Sequence, residues 1–232
     1  MFTQVGSGRI KSKVAMPALA GPLLILLVAW TALIPFAWNP VMAAEKPVHI
    51  AAFGDSLTAG FGLPAGSDFA SRLEAALQRK GHAVRITNAG VSGDTTSGGV
   101  ARFDWAVPND TDAVILELGA NDALRGISPE IARTNLDKIL AKLKARDIAV
   151  LIAGMRAPAN WGEEYVEQFD AIFPALAKKH DALLYPFFLE GVIDKPNLKL
   201  EDALHPNQAG VDEIVRRILP SVERLIAEAR AG

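Results

Sequence analysis

Residues 52–60 read Ala52-Phe53-Gly54-Asp55-Ser56-Leu57-Thr58-Ala59-Gly60 and complete an apolar run, Val48 to Phe53, that reads as a buried strand. A serine just past such a strand is either a nucleophile or a polar residue in a strand-to-helix turn. The G-x-S-x-G elbow does not fit, because Thr58 stands where its second glycine falls. The stretch marks the first strand of the fold. Whether Ser56 reacts depends on what the rest of the chain brings to it.

Downstream, strands and helices alternate. His49–Phe53 is the first strand, followed by a helix over Phe69–Lys80 that stops at Gly81. Ala83–Asn88 is a second strand, Ser97–Ala106 a short helix, and Ala113–Leu118 a third strand apolar enough to be buried on both faces. The next helix takes Ser128 as N-cap and Pro129 as first residue, with Ala132, Leu136, Ile139, Leu140 and Leu143 along one face. Ile148–Ala153 is the fourth strand, Glu163–Lys179 a helix and Ala182–Tyr185 a short fifth strand. The last helix, from about Asn207, buries Val211, Ile214, Val215, Ile218, Val222, Leu225 and Ile226, and Pro220 should kink or interrupt it. This order predicts an α/β domain with a mainly parallel sheet covered on both sides. Ligands of such sheets bind beyond the carboxyl ends of the strands, at a topological switch point.

Polar segments stand at those ends. Ser56 follows strand one, Asn88-Ala89-Gly90-Val91-Ser92-Gly93-Asp94-Thr95 follows strand two, and Gly119-Ala120-Asn121-Asp122 follows strand three. Asp202-Ala203-Leu204-His205-Pro206-Asn207 precedes the last helix. Together they hold the parts of serine acyl transfer. A serine hydroxyl needs an adjacent base, normally a histidine oriented by a carboxylate. Asp202, three residues before His205, is placed for that, whereas Glu201 lacks the offset. The oxyanion needs preorganised donors, and the Ser56 N–H, the Gly93 N–H and the Asn121 amide are candidates. A histidine base also implies a rate that rises with pH around neutrality.

Other polar residues have plainer readings. Asp55, Asp94 and Asp122 brace their loops through local hydrogen bonds. His49, His82 and His180 are isolated near element ends, structural or solvated, and no pair has metal-ligand spacing, so no metal and no cofactor is expected. Trp161, Phe169 and Phe173 read as packing residues. Gly60, Gly62 and Gly66 depart from the dinucleotide spacing, and strand two ends in Asn88 rather than an acid for ribose. Composition narrows the partners. The 232-residue chain has no cysteine, which excludes a thiol nucleophile and a disulfide framework. Arg9, Lys11 and Lys13 are the only charged side chains in residues 1–44, so the body is more acidic than the formal net charge of −2. An acidic body without a basic run argues against nucleic acid. Those three charges precede the uncharged stretch Val14 to Ala44, which ends in Pro40-Val41-Met42-Ala43-Ala44. This is the pattern of a secretory signal over residues 1–44, cleaved near Ala43 or Ala44, ahead of one domain over 45–232. The apolar segment is long enough that an uncleaved membrane anchor is the alternative. Either way the body is exported, periplasmic or secreted, and meets a membrane only through that segment or a lipid substrate.

GDSL at 54–57, the Gly93 turn, GAND at 119–122 and DALHPN at 202–207 resemble, in order, the four blocks of the SGNH (GDSL) hydrolases. The likeness spans nearly the whole body. It is nearest to the secreted arylesterase, thioesterase I and lysophospholipase group, through GDSLTAGFGL, NAGVSGDTTSGG, GANDALRG and the 154–162 segment. The resemblance implies a flavodoxin-like three-layer α/β/α sandwich with a five-stranded parallel sheet. It implies Ser56 as nucleophile, His205 as base, Asp202 as its partner, and Ser56, Gly93 and Asn121 as the oxyanion hole. Leu124 and the loop carrying Pro158, Asn160 and Trp161 would border the acyl pocket. The activity implied is hydrolysis of a small acyl ester or thioester; a monomer is the default expectation. An acyltransferase, a carbohydrate deacetylase or a non-catalytic binding module on the same scaffold are the alternatives.

Overall fold

The computed structural model describes residues 46–232; the leader expected over residues 1–44 lies outside them. Five strands, β1 (Val48–Gly54), β2 (Val84–Gly90), β3 (Ala113–Glu117), β4 (Ala149–Ala153) and β5 (Leu183–Tyr185), form one sheet in the order β2-β1-β3-β4-β5. Every pairing is parallel. The chain moves outward from β1 to β2, then returns to β3 on the other side, so the switch point falls between β1 and β3. The register pairs Gly54 with both Gly90 and Glu117, so the three strands end in step and their loops emerge side by side.

Helices cover both faces. α2 (Phe69–Arg79) packs beside α8 (Gln208–Ala231) on one, and α3 (Thr96–Ala106), α5 (Pro129–Ala145) and α7 (Ile172–His180) line the other. Two short helices, α1 (Ser56–Ala59) and α4 (Ala120–Leu124), start directly after β1 and β3. The expected apolar stripes of α5 and α8 are buried against the sheet. This is the three-layer arrangement predicted from the sequence.

One helix expectation is corrected, and two others are made more specific. The helix expected over Glu163–Lys179 is two, α6 (Glu163–Asp170) and α7, with Ala171 between them. Pro174 has no N–H for the Asp170 carbonyl and its ring crowds that oxygen, so the first helix ends there and Pro174 sits in the first turn of the next. Conversely, α8 is not interrupted at Pro220. Pro220 is exposed, so the Arg216 carbonyl it leaves unpaired lies on the watered side of the helix. Ser128 occupies the N-cap position of α5, but its side chain makes no capping bond. Among the described residues no helix is long and apolar enough to cross a membrane.

Candidate active site

β1 delivers Ser56. Asp55 caps α1, its Oδ1 accepting the Leu57 N–H at 3.0 Å, and Ser56 opens that single turn. As the first helical residue, Ser56 has an N–H with no intrahelical acceptor. Gly54 is required by close approach: the space a Cβ would fill is taken by the Thr58 hydroxyl and the Glu117 carboxyl. Beside it the loop after β2 is fastened to β1 by the Val91 N–H on the Gly54 carbonyl, 3.0 Å. Gly93 in that loop has φ 81°, a left-handed conformation that favours glycine. Its carbonyl accepts from Arg125 Nη2 at 2.8 Å, while its N–H has no acceptor among the described residues. Asn121 lies in the first turn of α4, across the switch point from Ser56, and its Nδ2 donates to Asp55 Oδ2 at 3.0 Å.

The base arrives from the loop before α8. Asp202 Oδ1 accepts the N–H groups of Leu204 and His205, at 2.9 and 3.0 Å, in a turn that forces Ala203 to φ 59°. Its Oδ2 lies 2.6 Å from His205 Nδ1, and His205 Nε2 lies 2.9 Å from Ser56 Oγ. The His205 and Asn207 backbone is fastened by Leu200 N–H to His205 O, 2.8 Å, and Asn207 N–H to Leu198 O, 3.0 Å. The Phe61 ring covers the imidazole at a centroid distance of 4.5 Å. The two backbone N–H groups hold the Asp202 carboxyl down at about 2. A depressed carboxyl stays ionised until the pH falls through that value. An ionised carboxylate only accepts, so the proton of Nδ1 faces it and Nε2 is left to accept from the Ser56 hydroxyl.

Beneath the serine lie two buried carboxyls; sequence reading gave Asp55 its local hydrogen bond but missed its link to Asn121 and the role of Glu117. Glu117 and Asp55 are both fully buried. Glu117 Oε2 accepts from the Asp55 N–H at 3.2 Å and the Thr58 hydroxyl at 2.7 Å, while its Oε1 has no partner among the described residues. Burial, reinforced by the neighbouring Asp55 charge, pushes the Glu117 carboxyl well above the ordinary carboxylate range. Burial also raises Asp55, to about 6, against the bonds from Leu57 and Asn121 that favour its charge. A carboxyl raised in the folded state stabilises it fully below the unfolded value, and that contribution disappears as pH rises through the folded one. Stability from Asp55 therefore declines between about pH 4 and pH 6. Glu117→Gln keeps an acceptor for both donors and should fold with a loss of about 1 kcal/mol or less. Glu117→Ala strands the Thr58 hydroxyl and the Asp55 N–H, costing about 3 kcal/mol in urea unfolding.

Each remaining candidate has a place. Leu124 and Trp161 are half-exposed, at 48% and 44%, on the same end of the sheet. The Trp161 ring fills the space beside Gly126, and Tyr165 donates to the Ile127 carbonyl at 2.7 Å, so the 154–162 loop lies against the Leu124–Gly126 segment. Pro158 and Asn160 sit at the start and middle of the short 3-10 turn that carries Trp161. Phe169 and Phe173 are buried. Asp122 accepts from the Thr96 N–H and hydroxyl, and Asp94 pairs with buried Arg102, whose other nitrogens reach the Gly54 and Ala89 carbonyls. His82 and His180 pair with Glu223 and Asp137, and buried His49 bonds Thr87, all away from Ser56. A groove of about 510 Å³ at the opposite end of the sheet, lined in part by Thr111, Lys144, Arg146 and Glu228, holds none of the candidate groups.

Known proteins share this pattern. The GDSL-like Lipase/Acylhydrolase family matches residues 52–212. An arylesterase of Vibrio mimicus is 39% identical over 165 residues, which cover 71% of this chain and 82% of that protein. Thioesterase 1/protease 1/lysophospholipase L1 of Escherichia coli K12 is 40% identical over 156 residues, covering 67% of this chain and 74% of that protein. Among solved structures, the SGNH-hydrolase family esterase AlinE4 superposes with a TM-score of 0.67 at 47% identity, over 78% of this chain and 98% of its own.

Proposed function

The chain belongs to the GDSL-like lipase/acylhydrolase family, and from that premise we propose that it hydrolyses carboxylic esters and thioesters through an acyl-enzyme on Ser56. One observation carries the reading: His205 lies between the Ser56 hydroxyl at 2.9 Å and the Asp202 carboxylate at 2.6 Å. Ser56 Oγ attacks the carbonyl carbon as its proton passes to His205 Nε2. The carbonyl π electrons move to oxygen, and that oxyanion accepts from the Ser56 N–H, the Gly93 N–H and Asn121 Nδ2. Donors aimed at charge that develops only in the transition state are each worth about 3–4 kcal/mol of barrier. Collapse breaks the bond to the leaving alcohol or thiol, which takes the proton from His205. Water then attacks the acyl-enzyme, giving its proton to His205, and the acid departs as Ser56 recovers its own.

The acyl chain would run toward the exposed Leu124, Asn160 and Trp161 and the half-buried Pro158, beside the hydroxyl's end of the sheet. Aryl esters, acyl thioesters and lysophospholipids are the substrate classes, by likeness to the relatives described above. The enzyme works as a monomer without cofactor, exported through the leader at 1–44 and cleaved near Ala43 or Ala44; N-terminal sequencing of the exported protein reads that site. A chain-length series of p-nitrophenyl esters, measured beside an acyl-CoA and a lysophospholipid, tests the activity. Turnover of both an ester and a thioester is expected. A folded protein that hydrolyses none of them overturns the reading.

A further inference from the structure

We propose that Asp55 is a positioning residue for oxyanion binding: its carboxylate joins the Ser56 turn to the Asn121 amide and determines which end of that amide faces the reacting carbonyl. The inference rests on the catalytic reading above and adds to it a residue that does not itself touch substrate.

Both oxygens of Asp55 are committed, each to a different half of the site. Oδ1 holds the Leu57 N–H and so orients the turn that presents Ser56; Oδ2 holds Asn121 Nδ2, 66 positions away in sequence. The side chain is fully buried, so water does not substitute for either contact. A carboxylate has lone pairs only. It accepts the nitrogen end of the Asn121 amide and repels the oxygen end. With that nitrogen fixed, its second N–H, which has no acceptor among the described residues, remains for the oxyanion. A flipped amide would aim its own carbonyl oxygen at the developing negative charge. Burial holds the Asp55 carboxyl at about 6, so it is ionised at neutral pH and serves as acceptor to both N–H groups. Local bracing of the turn accounts for Oδ1 alone.

Two substitutions separate bracing from positioning. Asp55→Asn is nearly isosteric, but an amide has one oxygen for two donors, so the Leu57 or the Asn121 contact is lost. Asp55→Ser keeps a side-chain oxygen suited to capping α1 while falling short of Asn121. Both variants are compared with Asn121→Ala, with each double variant and with Ser56→Ala, using one p-nitrophenyl ester at pH 7.5 and circular dichroism for the fold. Asn121→Ala should lower kcat by about 10²-fold or more. Each Asp55 variant should lower kcat about 10- to 100-fold with KM within twofold, and each double variant should be no slower than Asn121→Ala alone. Losses that multiply in the doubles, kcat within twofold of wild type in both Asp55 variants, or loss of fold in both would each overturn the proposal. If Ser56→Ala keeps kcat within tenfold of wild type, the catalytic reading itself fails; if Ser56→Ala loses more than that while the losses multiply, only the positioning role falls.

Discussion

Replacing Ser56 with alanine should lower kcat for p-nitrophenyl ester hydrolysis on the order of 10⁵-fold, the largest effect expected of any single substitution in this chain. The hydroxyl supplies the bond-forming atom, and nothing else among the described residues stands within reach of His205 Nε2 to take over. What survives is the surroundings: the cap on α1, the Gly93 loop and the Asn121 amide do not depend on Oγ. Residual acceleration over water is therefore expected from the oxyanion donors alone. The fold should persist, with stability changed by about 1 kcal/mol or less, because only a single small atom is removed. Rate loss with an unchanged circular dichroism spectrum is the expected pair of results.

Asp202→Asn should come next, with a loss in kcat of roughly 10⁴-fold at neutral pH. The geometry makes the substitution diagnostic. Oδ1 of Asp202 accepts two backbone N–H groups, so an asparagine places its amide oxygen there and turns its NH₂ toward His205 Nδ1. Nδ1 must then accept, which moves the imidazole proton to Nε2 and puts a donor where the Ser56 proton has to go. The loop and its fold are preserved while the tautomer is wrong. Raising the pH does not restore the rate in that case, since the defect is the location of the proton rather than its presence.

The sheet and the long helices were legible because their burial is periodic. Ala113–Glu117 is a continuous apolar run up to its last residue, and α8 repeats its buried positions every three or four residues. α1 and α4 were not, since four or five residues are too few to display a period. The break at Ala171 was signalled by Pro174, three residues inside the second helix. The candidate site was legible for a different reason. In a parallel sheet each strand ends on the same side, so residues far apart in sequence converge once their strands are assigned. Ser56, Gly93 and Asn121 converge in this way, and Asp202 and His205 are near neighbours within one loop.

Contacts between chemically ordinary residues were hidden. Glu117 closes a strand whose other side chains are apolar, and a lone carboxyl at a buried position requires a partner or a proton. That was the available signal, and it named no partner: the Asp55 N–H and the Thr58 hydroxyl emerge only once β1 and β3 are laid side by side. The bond from Asn121 to Asp55 is likewise a product of register, as are the three bonds through which Arg102 spans Asp94, Ala89 and Gly54. Local reasoning gave Asp55 its capping role and stopped at the residue's first oxygen.

The central claim is that the Ser56 hydroxyl is a nucleophile activated by His205. Labelling the folded protein with a fluorophosphonate, followed by peptide mapping by mass spectrometry, tests it most directly. A single adduct on Ser56, absent from the Ser56→Ala and His205→Ala variants, is the predicted result. An unlabelled Ser56 in a protein that hydrolyses esters, or an adduct on another residue that abolishes that activity, would contradict it.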